Sequence, residues 1–339
     1  MTRRLAGPLA AVLLTVACTS GAKPSVTPPR VVTGGPAASG ALAERELARV
    51  AIANADGIAS VDGSLWVKTD DGRVVKVDPL RNRIVGEIRL DTASDRSHYC
   101  QGIGADGASI WACAATDHGI DVVQINPQTL KPVRTLDLNK LFDQVRMPLV
   151  GGRIWVLTDD GKSLVAIDPA SGRLSRYRLP TSCLQLEGSG QVLLATCRGA
   201  GRVLRIEPTS GKVAASARVG SPGIAAVTAS TVWVDSSDGV LELDADSLQR
   251  RVVYSGVHAG PDGDLAVDAG HRLWVRQKAG FLILIDPASS SVVEAVTSPV
   301  PLSGGSLLVT ADEVWTTAFD DGLLIKVRLY PASGAAATP

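Results

Sequence analysis

Residues 152–179, GRIWVLTDDGKSLVAIDPASGRLSRYRL, contain the pattern on which the rest of the chain is built. An apolar run around Trp155 leads into an Asp-Asp-Gly turn, and a second apolar run ends at Ile167. An Asp-Pro turn and a weaker alternating strand, 174–179, complete the unit. Both apolar runs are hydrophobic on each face, whereas a strand with one solvated face alternates apolar and polar residues. The unit therefore predicts strands that are buried on both sides.

Copies of this unit repeat along the chain. Their anchor positions are 38 to 45 residues apart: Trp66, Trp111, Trp155, Leu193, Trp233, Trp274 and Trp315. A glycine suited to a tight hairpin follows each anchor: Gly72, Gly119, Gly161, Gly199, Gly239, Gly280 and Gly322. Five copies add a residue-Pro pair typical of type I turns, at Asp78, Asn126, Asp168, Glu207 and Asp286. A period near forty with four strands per unit indicates a β-propeller blade. We predict an all-β, seven-bladed β-propeller with four-stranded antiparallel blades.

The last copy stops before its fourth strand, and the missing strand is predicted at the other end of the chain. Residues 46–52 and the Gly-Ile-Ala after them resemble 215–219, which also precede Gly-Ile-Ala. We expect 46–52 to form the outer strand of the last blade and to close the ring. The propeller then spans 44–331, followed by a disordered tail, 332–339.

The first residues have the layout of an export signal. A basic start and a short apolar stretch, 1–17, predict a secretory signal peptide. The residues up to Cys18 resemble a bacterial lipobox, with Thr15 where that motif usually has Leu; the alternative is an ordinary cleaved signal with an incidental cysteine. Residues 18–43 contain almost no bulky apolar side chain and predict a lipidated cysteine on a flexible tether. Deleting 19–43 should leave the melting temperature nearly unchanged. The expected location is the outer face of the bacterial cytoplasmic membrane or the cell surface, with the lipid as membrane partner.

The other four cysteines fall into two pairs, each flanking a hairpin turn. Counting outward from the turn at Asp106 places Cys100 opposite Cys113, and Cys183 and Cys197 flank a turn in another blade. Two disulfides suit an exported protein. Four buried thiols or a metal site are the alternatives, but the chain has no Cys-x-x-Cys, and we predict no metal and no cofactor.

Charge excludes one class of partner. Lys and Arg number 34, as do Asp and Glu, and no basic cluster stands out along the sequence. We therefore expect no nucleic-acid binding, and a monomer. The anchor tryptophans could form a carbohydrate or aromatic-cage site, but their identical place in each repeat favours core packing.

Ligand sites in propellers usually lie at one mouth of the central channel, so loop residues there that break the repeat are the candidates. Two loop sets line that mouth: the connections between blades, and the turns between second and third strands. The candidates are Asp56, His98, Tyr99, Gln101, Asp117, His118, Arg146, Arg198, His258, Arg276 and Lys278. Tyr, His and Arg side chains predict a polar or anionic ligand, such as a glycan or carboxylate; a solvated rim without function is the alternative.

The recurring W-V, D-G and I-D-P motifs over residues 44–331 resemble those of YVTN/NHL-type seven-bladed propellers, including the virginiamycin B lyase-like group. Streptogramin lyases of that group use a histidine, for which His258 could stand, and a Glu-x-His pair about one blade later. No Glu-x-His occurs in this chain. We therefore expect no catalytic residues and a lipid-anchored binding or scaffold protein for a polar small molecule, glycan or envelope protein. A propeller lyase or hydrolase is the alternative.

Overall fold

We describe the fold from a computed structural model, which covers residues 28–92, 100–138, 146–158, 160–278, 280–310 and 313–328. Within these residues the chain forms seven sheets arranged as the blades of a propeller. The strands of each blade run from the channel to the rim and are named a to d in that order. The predicted all-β fold with seven four-stranded antiparallel blades is confirmed.

The elements follow one another in chain order. The N-terminal part contains β1 (Arg30–Val32), β2 (Ala38–Ala41), α1 (Leu42–Arg45) and β3 (Glu46–Ala51). Blade 1 contains β4 (Ala55–Val61), β5 (Ser64–Thr69), β6 (Arg73–Asp78) and β7 (Arg83–Arg89). Blade 2 contains β8 (Ile103–Ala105), β9 (Ile110–Thr116), β10 (Gly119–Asn126) and β11 (Lys131–Asp137). Blade 3 contains β12 (Leu149–Val150), β13 (Arg153–Thr158), β14 (Ser163–Ile167) and β15 (Leu174–Arg178).

The remaining blades follow the same plan. Blade 4 contains β16 (Gln185–Ser189), β17 (Val192–Cys197), a 3-10 turn (Arg198–Ala200), β18 (Arg202–Ile206) and β19 (Val213–Arg218). Blade 5 contains β20 (Ala225–Val227), β21 (Thr231–Ser236), β22 (Gly239–Asp244) and β23 (Arg250–Tyr254). Blade 6 contains β24 (Asp264–Val267), β25 (Leu273–Arg276), β26 (Leu282–Asp286) and β27 (Ser291–Thr297). Blade 7 contains β28 (Leu307–Val309), β29 (Glu313–Ala318) and β30 (Leu323–Arg328), with β3 as its strand d.

The ring closes as predicted. β3 pairs antiparallel with β30, with Ala48 opposite Lys326 and Ala51 opposite Leu323. The N-terminal strand thereby completes the last blade and gives its outer edge a hydrogen-bonded partner. Closure of this kind removes the unpaired edge that an incomplete blade would expose.

The prediction of a flexible tether up to residue 43 is wrong for its described second half. β1 adds a parallel fifth strand to the rim of blade 5, and β2 adds one to the rim of blade 6. Leu42 then inserts between blades 6 and 7, where it is 1% exposed, and Arg45 forms an ion pair with Glu294 of blade 6. Backbone pairing explains the difference, because small residues can add to a sheet edge through main-chain groups alone. The signal peptide and Cys18 lie outside the described residues.

The tryptophan anchors are core residues. All six are at most 2% exposed, and they pack in the apolar layers between neighbouring blades. Because the rings are buried, they cannot form a carbohydrate or aromatic-cage surface. No helix in the described part of the chain is both long and apolar enough to cross a membrane.

The recurring turns use the predicted residues, with one exception. Six of the seven turn glycines have positive φ, but in blade 4 the left-handed residue is Gly201, which ends the 3-10 turn, and not Gly199. At the strand c to d turns, Asp168 Oδ1 accepts the backbone N–H groups of Ala170 and Ser171. This side-chain capping explains why an acidic or amide residue recurs there.

Both predicted cysteine pairs are disulfides in the structure. The register proposed for the first pair is wrong, however. Ile103 lies opposite Ala112, which places Gly102, and not Cys100, level with Cys113. The hairpin turns one residue later than counted, at Gly107-Ala108, because Ala105 lies opposite Ile110 and the Asp106 N–H donates to the Ser109 carbonyl oxygen. The Asp106 carboxylate caps this turn by accepting the Ala108 and Ser109 amides and the Trp111 indole. Cys100 lies in the connection that precedes β8 and forms its disulfide with Cys113 from there.

Candidate functional site at the channel mouth

One end of the channel opens into a pocket of about 420 Å³. It lies at the end where strands b turn into strands c and where each blade connects to the next, which is the end at which we expect a ligand site from the sequence. Its lining comes mainly from blades 1, 6 and 7: Asp56, Asp70, Gln101, Ile224, Pro261, Asp262, Gly263, Asp264, Lys278, Gly304, Gly305, Ser306, Phe319 and Asp320.

Three glycines in this lining are required by close backbone contacts. A Cβ on Gly304 would lie 2.0 Å from the carbonyl oxygen of Asp262, and one on Gly305 would lie 2.0 Å from that of Thr317. A Cβ on Gly263 would meet the carbonyl oxygens of Ala259 and Arg276. The wall between blades 6 and 7 is therefore built from backbone packed against backbone, which holds the pocket in shape.

The pocket is acidic. Five aspartates line it, and Lys278 is the only cation among its described lining residues. Lys278 Nζ lies 3.3 Å from Asp262 Oδ2 at the exposed rim. An excess of carboxylates repels anions, so the expectation of a carboxylate or other anionic ligand at this mouth is wrong for the described pocket. Its charge suits a cation or a group rich in hydrogen-bond donors.

An ionic network crosses the channel beside the pocket. Arg146 precedes blade 3, and its guanidinium contacts Glu187 of blade 4 and donates to Asp264 Oδ2 of blade 6 at 2.5 Å. The same group donates to the carbonyl oxygens of Leu265 and Leu307 at 3.3 and 3.4 Å. One side chain thus connects blades 4, 6 and 7 across the centre of the ring.

Asp264 is the buried member of this network, since its side chain is only 3% exposed. Its carboxylate also accepts the backbone N–H groups of Leu265 at 2.7 Å and Leu307 at 2.6 Å. Burial raises the pKa of Asp264 to about 6, because Arg146 and the Leu307 amide only partly offset the loss of water. For Arg146, burial lowers the pKa but Asp264 and Glu187 outweigh it, so the net shift is upward.

The structure brings some of the predicted site residues together. Asp56, Gln101 and Lys278 line the pocket, and Arg146 adjoins it through Asp264. Asp117 and His118 are exposed in the strand b to c turn of blade 2 and do not line it. His98 and Tyr99 lie outside the described residues, so their predicted role stays untested.

The prediction that Arg276 reaches the mouth is wrong. Its side chain is fully buried and donates to Thr316 Oγ1 at 3.1 Å and to the Ser303 carbonyl oxygen at 2.5 Å. The guanidinium also lies 4.6 Å from the centre of the Phe281 ring. Burial lowers the pKa of Arg276 to about 10, against an opposing effect of Asp321, so the group stays charged at neutral pH. Arg276 therefore connects blade 6 to blade 7 and offers nothing to a ligand.

His258 belongs to a separate group on blade 5. Its Nδ1 lies 3.0 Å from the Ser236 carbonyl oxygen and 3.7 Å from Asp235 Oδ1, and its side chain is 44% exposed. Burial raises the pKa of Asp235, while the amides of Ala259 and Gly260, His258 and the predicted site residue Arg198 oppose the shift. Neither His258 nor Arg198 is among the described residues that line the pocket.

Most pocket residues were not predicted from the sequence. Asp70 and Asp320 each directly precede a recurring Asp-Gly pair, so turn chemistry already explained them. Asp262-Gly263-Asp264 and Gly304-Gly305 lie between blades and break the repeat, and this break was the one sequence feature that could have indicated these pocket residues. Among the described residues, no group of three or more His, Cys, Asp or Glu side chains is placed to hold a metal ion.

Comparison with known proteins supports the fold. The chain matches no family model and no curated protein. It is similar in structure to the WD40 domain of Pan2 from Neurospora crassa, at 11% identity and a TM-score of 0.64, covering 83% of this chain and 90% of that one. The β-propeller domain of Cps50 (Swd1) from Myceliophthora thermophila aligns at 12% identity and a TM-score of 0.66, covering 84% and 99%.

A bacterial structure is also similar. BamB from Moraxella catarrhalis aligns at 11% identity and a TM-score of 0.56, covering 84% of this chain and 99% of that one. At such low identities the likeness concerns fold alone, since one fold hosts many functions. What the comparisons show is that this chain is a β-propeller.

Proposed function

We propose that this chain is an exported, lipid-anchored β-propeller of the bacterial envelope that binds a protein partner at its channel mouth and catalyses no reaction. The acidic mouth pocket is the observation that carries the proposal. It is large enough for one or two side chains, and it is lined by five aspartates and one lysine. The partner segment presents lysine or arginine side chains, which carboxylates bind through charge-assisted hydrogen bonds.

The chain itself supplies a precedent for this contact, because Lys278 already pairs with Asp262 at the rim. The enzyme alternative has less support. His258, the histidine that the lyase resemblance singles out, is not among the described lining residues. Its exposed ring contacts a backbone carbonyl, an arrangement that a structural histidine also adopts.

Matched short peptides test the binding proposal. Lysine-rich, arginine-rich, glutamate-rich and neutral peptides of equal length would be titrated into the full chain by calorimetry. The cationic peptides should bind, and Asp262→Asn/Asp320→Asn should weaken them about tenfold or more. Asp246→Asn is the control, since Asp246 lies in a strand c to d turn at the opposite end and is 85% exposed. Equal affinity in wild type and both variants would contradict the proposal.

A second experiment tests the anchor. If Cys18 carries lipid, Cys18→Ala should move the protein from the membrane fraction to the soluble fraction of the producing cell. Cys183→Ala/Cys197→Ala is the control, because it also removes cysteines but leaves the N-terminal segment intact. Membrane association that survives Cys18→Ala would rule out the lipid anchor without touching the binding proposal.

A further inference from the structure

A second cleft lies at the rim between blades 4 and 5, away from the channel mouth pocket. It is shallow, about 400 Å³, and is lined by Ala200, Gly201, Arg202, Arg218, Val219, Gly220 and Arg250. The three arginines come from three different strands, β18, β19 and β23. They are 16 and 32 residues apart in sequence, so only the fold brings them together.

Two of these arginines face each other on neighbouring strands, an arrangement that does not stabilise the fold. Arg202 lies directly opposite Arg218 in the pairing of β18 with β19. Like charges placed opposite each other on neighbouring strands are destabilising. An anion between the two guanidinium groups would turn this repulsion into attraction.

Other contacts hold two of the three guanidinium groups, those of Arg202 and Arg250, in place. Arg202 Nε donates to Ser216 Oγ at 2.9 Å, and Arg250 Nη2 donates to the Arg218 carbonyl oxygen at 2.8 Å. Arg250 Nη1 lies 3.4 Å from the half-exposed Asp238 carboxylate. These bonds leave further N–H groups of each arginine available, and the three positive charges against one negative charge leave the cleft with a net charge of about +2.

We propose that this cleft binds a phosphate group. A phosphate offers several acceptor oxygens to N–H donors that converge from different directions, and arginine recognises it through paired hydrogen bonds. A phosphate monoester carries close to two negative charges at neutral pH, which matches the charge of the cleft. Free phosphate and the headgroup of an anionic lipid share this chemistry, and the cleft recognises it in either source.

Calorimetry on the full chain at moderate salt tests the proposal with four probes. These are inorganic phosphate, glycerol 1-phosphate, the water-soluble lipid dihexanoyl phosphatidylglycerol, and acetate as an anion without phosphorus. We expect phosphate and glycerol 1-phosphate to bind and acetate to bind at least about tenfold more weakly. Binding of the short-chain lipid in addition identifies the headgroup as a source, and its failure to bind identifies free phosphate or a monoester.

Arg218→Gln is the main variant, because the Arg218 guanidinium forms no hydrogen bond or ion pair with another described residue that the change would remove. It should weaken phosphate about tenfold or more while leaving unfolding in phosphate-free buffer unchanged or slightly improved. Arg250→Lys, which keeps the charge, should retain part of the affinity. Arg176→Gln, an exposed arginine on blade 3, is the control and should bind like wild type. Equal phosphate affinity in Arg218→Gln and wild type, or equal affinity for acetate and phosphate, would overturn the proposal.

Discussion

Arg146 Nη2 and Asp264 Oδ2 lie 2.5 Å apart across the central channel, although 118 residues separate them in sequence. The bond joins the segment before blade 3 to the first strand of blade 6. With Glu187 on blade 4 and the Leu307 carbonyl on blade 7, it ties together blades that share no hydrogen-bonded strands. A single guanidinium, on a side chain that is 18% exposed, thus links these blades beside the mouth pocket.

We expect Arg146→Met to cost about 3–5 kcal/mol of unfolding free energy, because it leaves the buried carboxylate of Asp264 and the partly buried carboxylate of Glu187 without their counter-ion. The triple variant Arg146→Met/Glu187→Gln/Asp264→Asn should lose less than Arg146→Met alone, since no buried charge is then uncompensated. Urea unfolding measures both. Arg205→Met is the control: its partner Asp246 is 85% exposed, so the loss should stay below about 1 kcal/mol. A triple variant that loses as much unfolding free energy as Arg146→Met alone, or more, would contradict this account of the network.

The raised pKa of Asp264 predicts a specific pH dependence. Its carboxyl titrates at about 6 in the folded protein and at about 4 in the unfolded chain. The folded state therefore binds this proton more tightly, so the contribution of the group to stability is present below about pH 4 and is lost as the pH rises through 6. The stability of wild type minus that of Asp264→Asn should fall between pH 4 and 6 and level off above 7. Urea unfolding across this range checks it, and a difference that rises with pH would contradict the predicted sign.

Leu42 should matter for stability although it lies before the first complete blade. Its side chain is 1% exposed between blades 6 and 7, so Leu42→Ala should cost about 2–5 kcal/mol. Leu80→Ala is the matched control, because Leu80 is 88% exposed and its loss should change stability by less than about 0.5 kcal/mol. Thermal and urea unfolding of the two variants would be compared. Equal stability would show that the N-terminal segment does not pack as described.

The two disulfides predict defined cross-linked peptides. Mass spectrometry of unreduced digests should identify Cys100–Cys113 and Cys183–Cys197, and no mixed pairs. Because the sequence separations are 13 and 14 residues, each bridge should stabilise by about 3 kcal/mol through the lost entropy of the unfolded chain. The variants Cys100→Ser/Cys113→Ser and Cys183→Ser/Cys197→Ser would show this in urea unfolding. Free thiols at all four positions would refute the assignment.

The repeat explains why the fold was predictable. Each copy contains its own buried strands and turn glycine, and most copies add a capping Asp, Asn or Glu, as residues 152–179 illustrate. All of these act over short distances in sequence. Blade number and ring closure followed because the missing strand at 46–52 has the same local pattern as its counterparts. Local chemistry also explains the cysteine pairs, since each pair flanks one hairpin.

The register and the N-terminal segment were less predictable. The hairpin turns at Gly107-Ala108, one residue later than counted, with the Asp106 side chain capping the turn, and counting residues does not reveal that cap. β1 and β2 join the rims of blades 5 and 6 through backbone hydrogen bonds, which leave almost no trace in side-chain composition. A small-residue segment therefore resembled a tether throughout.

By itself the sequence determined the propeller, its seven blades, its closure and its cysteine pairs, because these depend on patterns within about forty residues. Only the tertiary structure decided which loop residues meet at the mouth. It buried Arg276 between two blades and made the pocket acidic by bringing together five aspartates from blades 1, 6 and 7. It also assembled Arg202, Arg218 and Arg250 at the rim. The physical reason is that a closed ring brings together side chains from distant repeats, and the charge of a cleft is the sum over all of them.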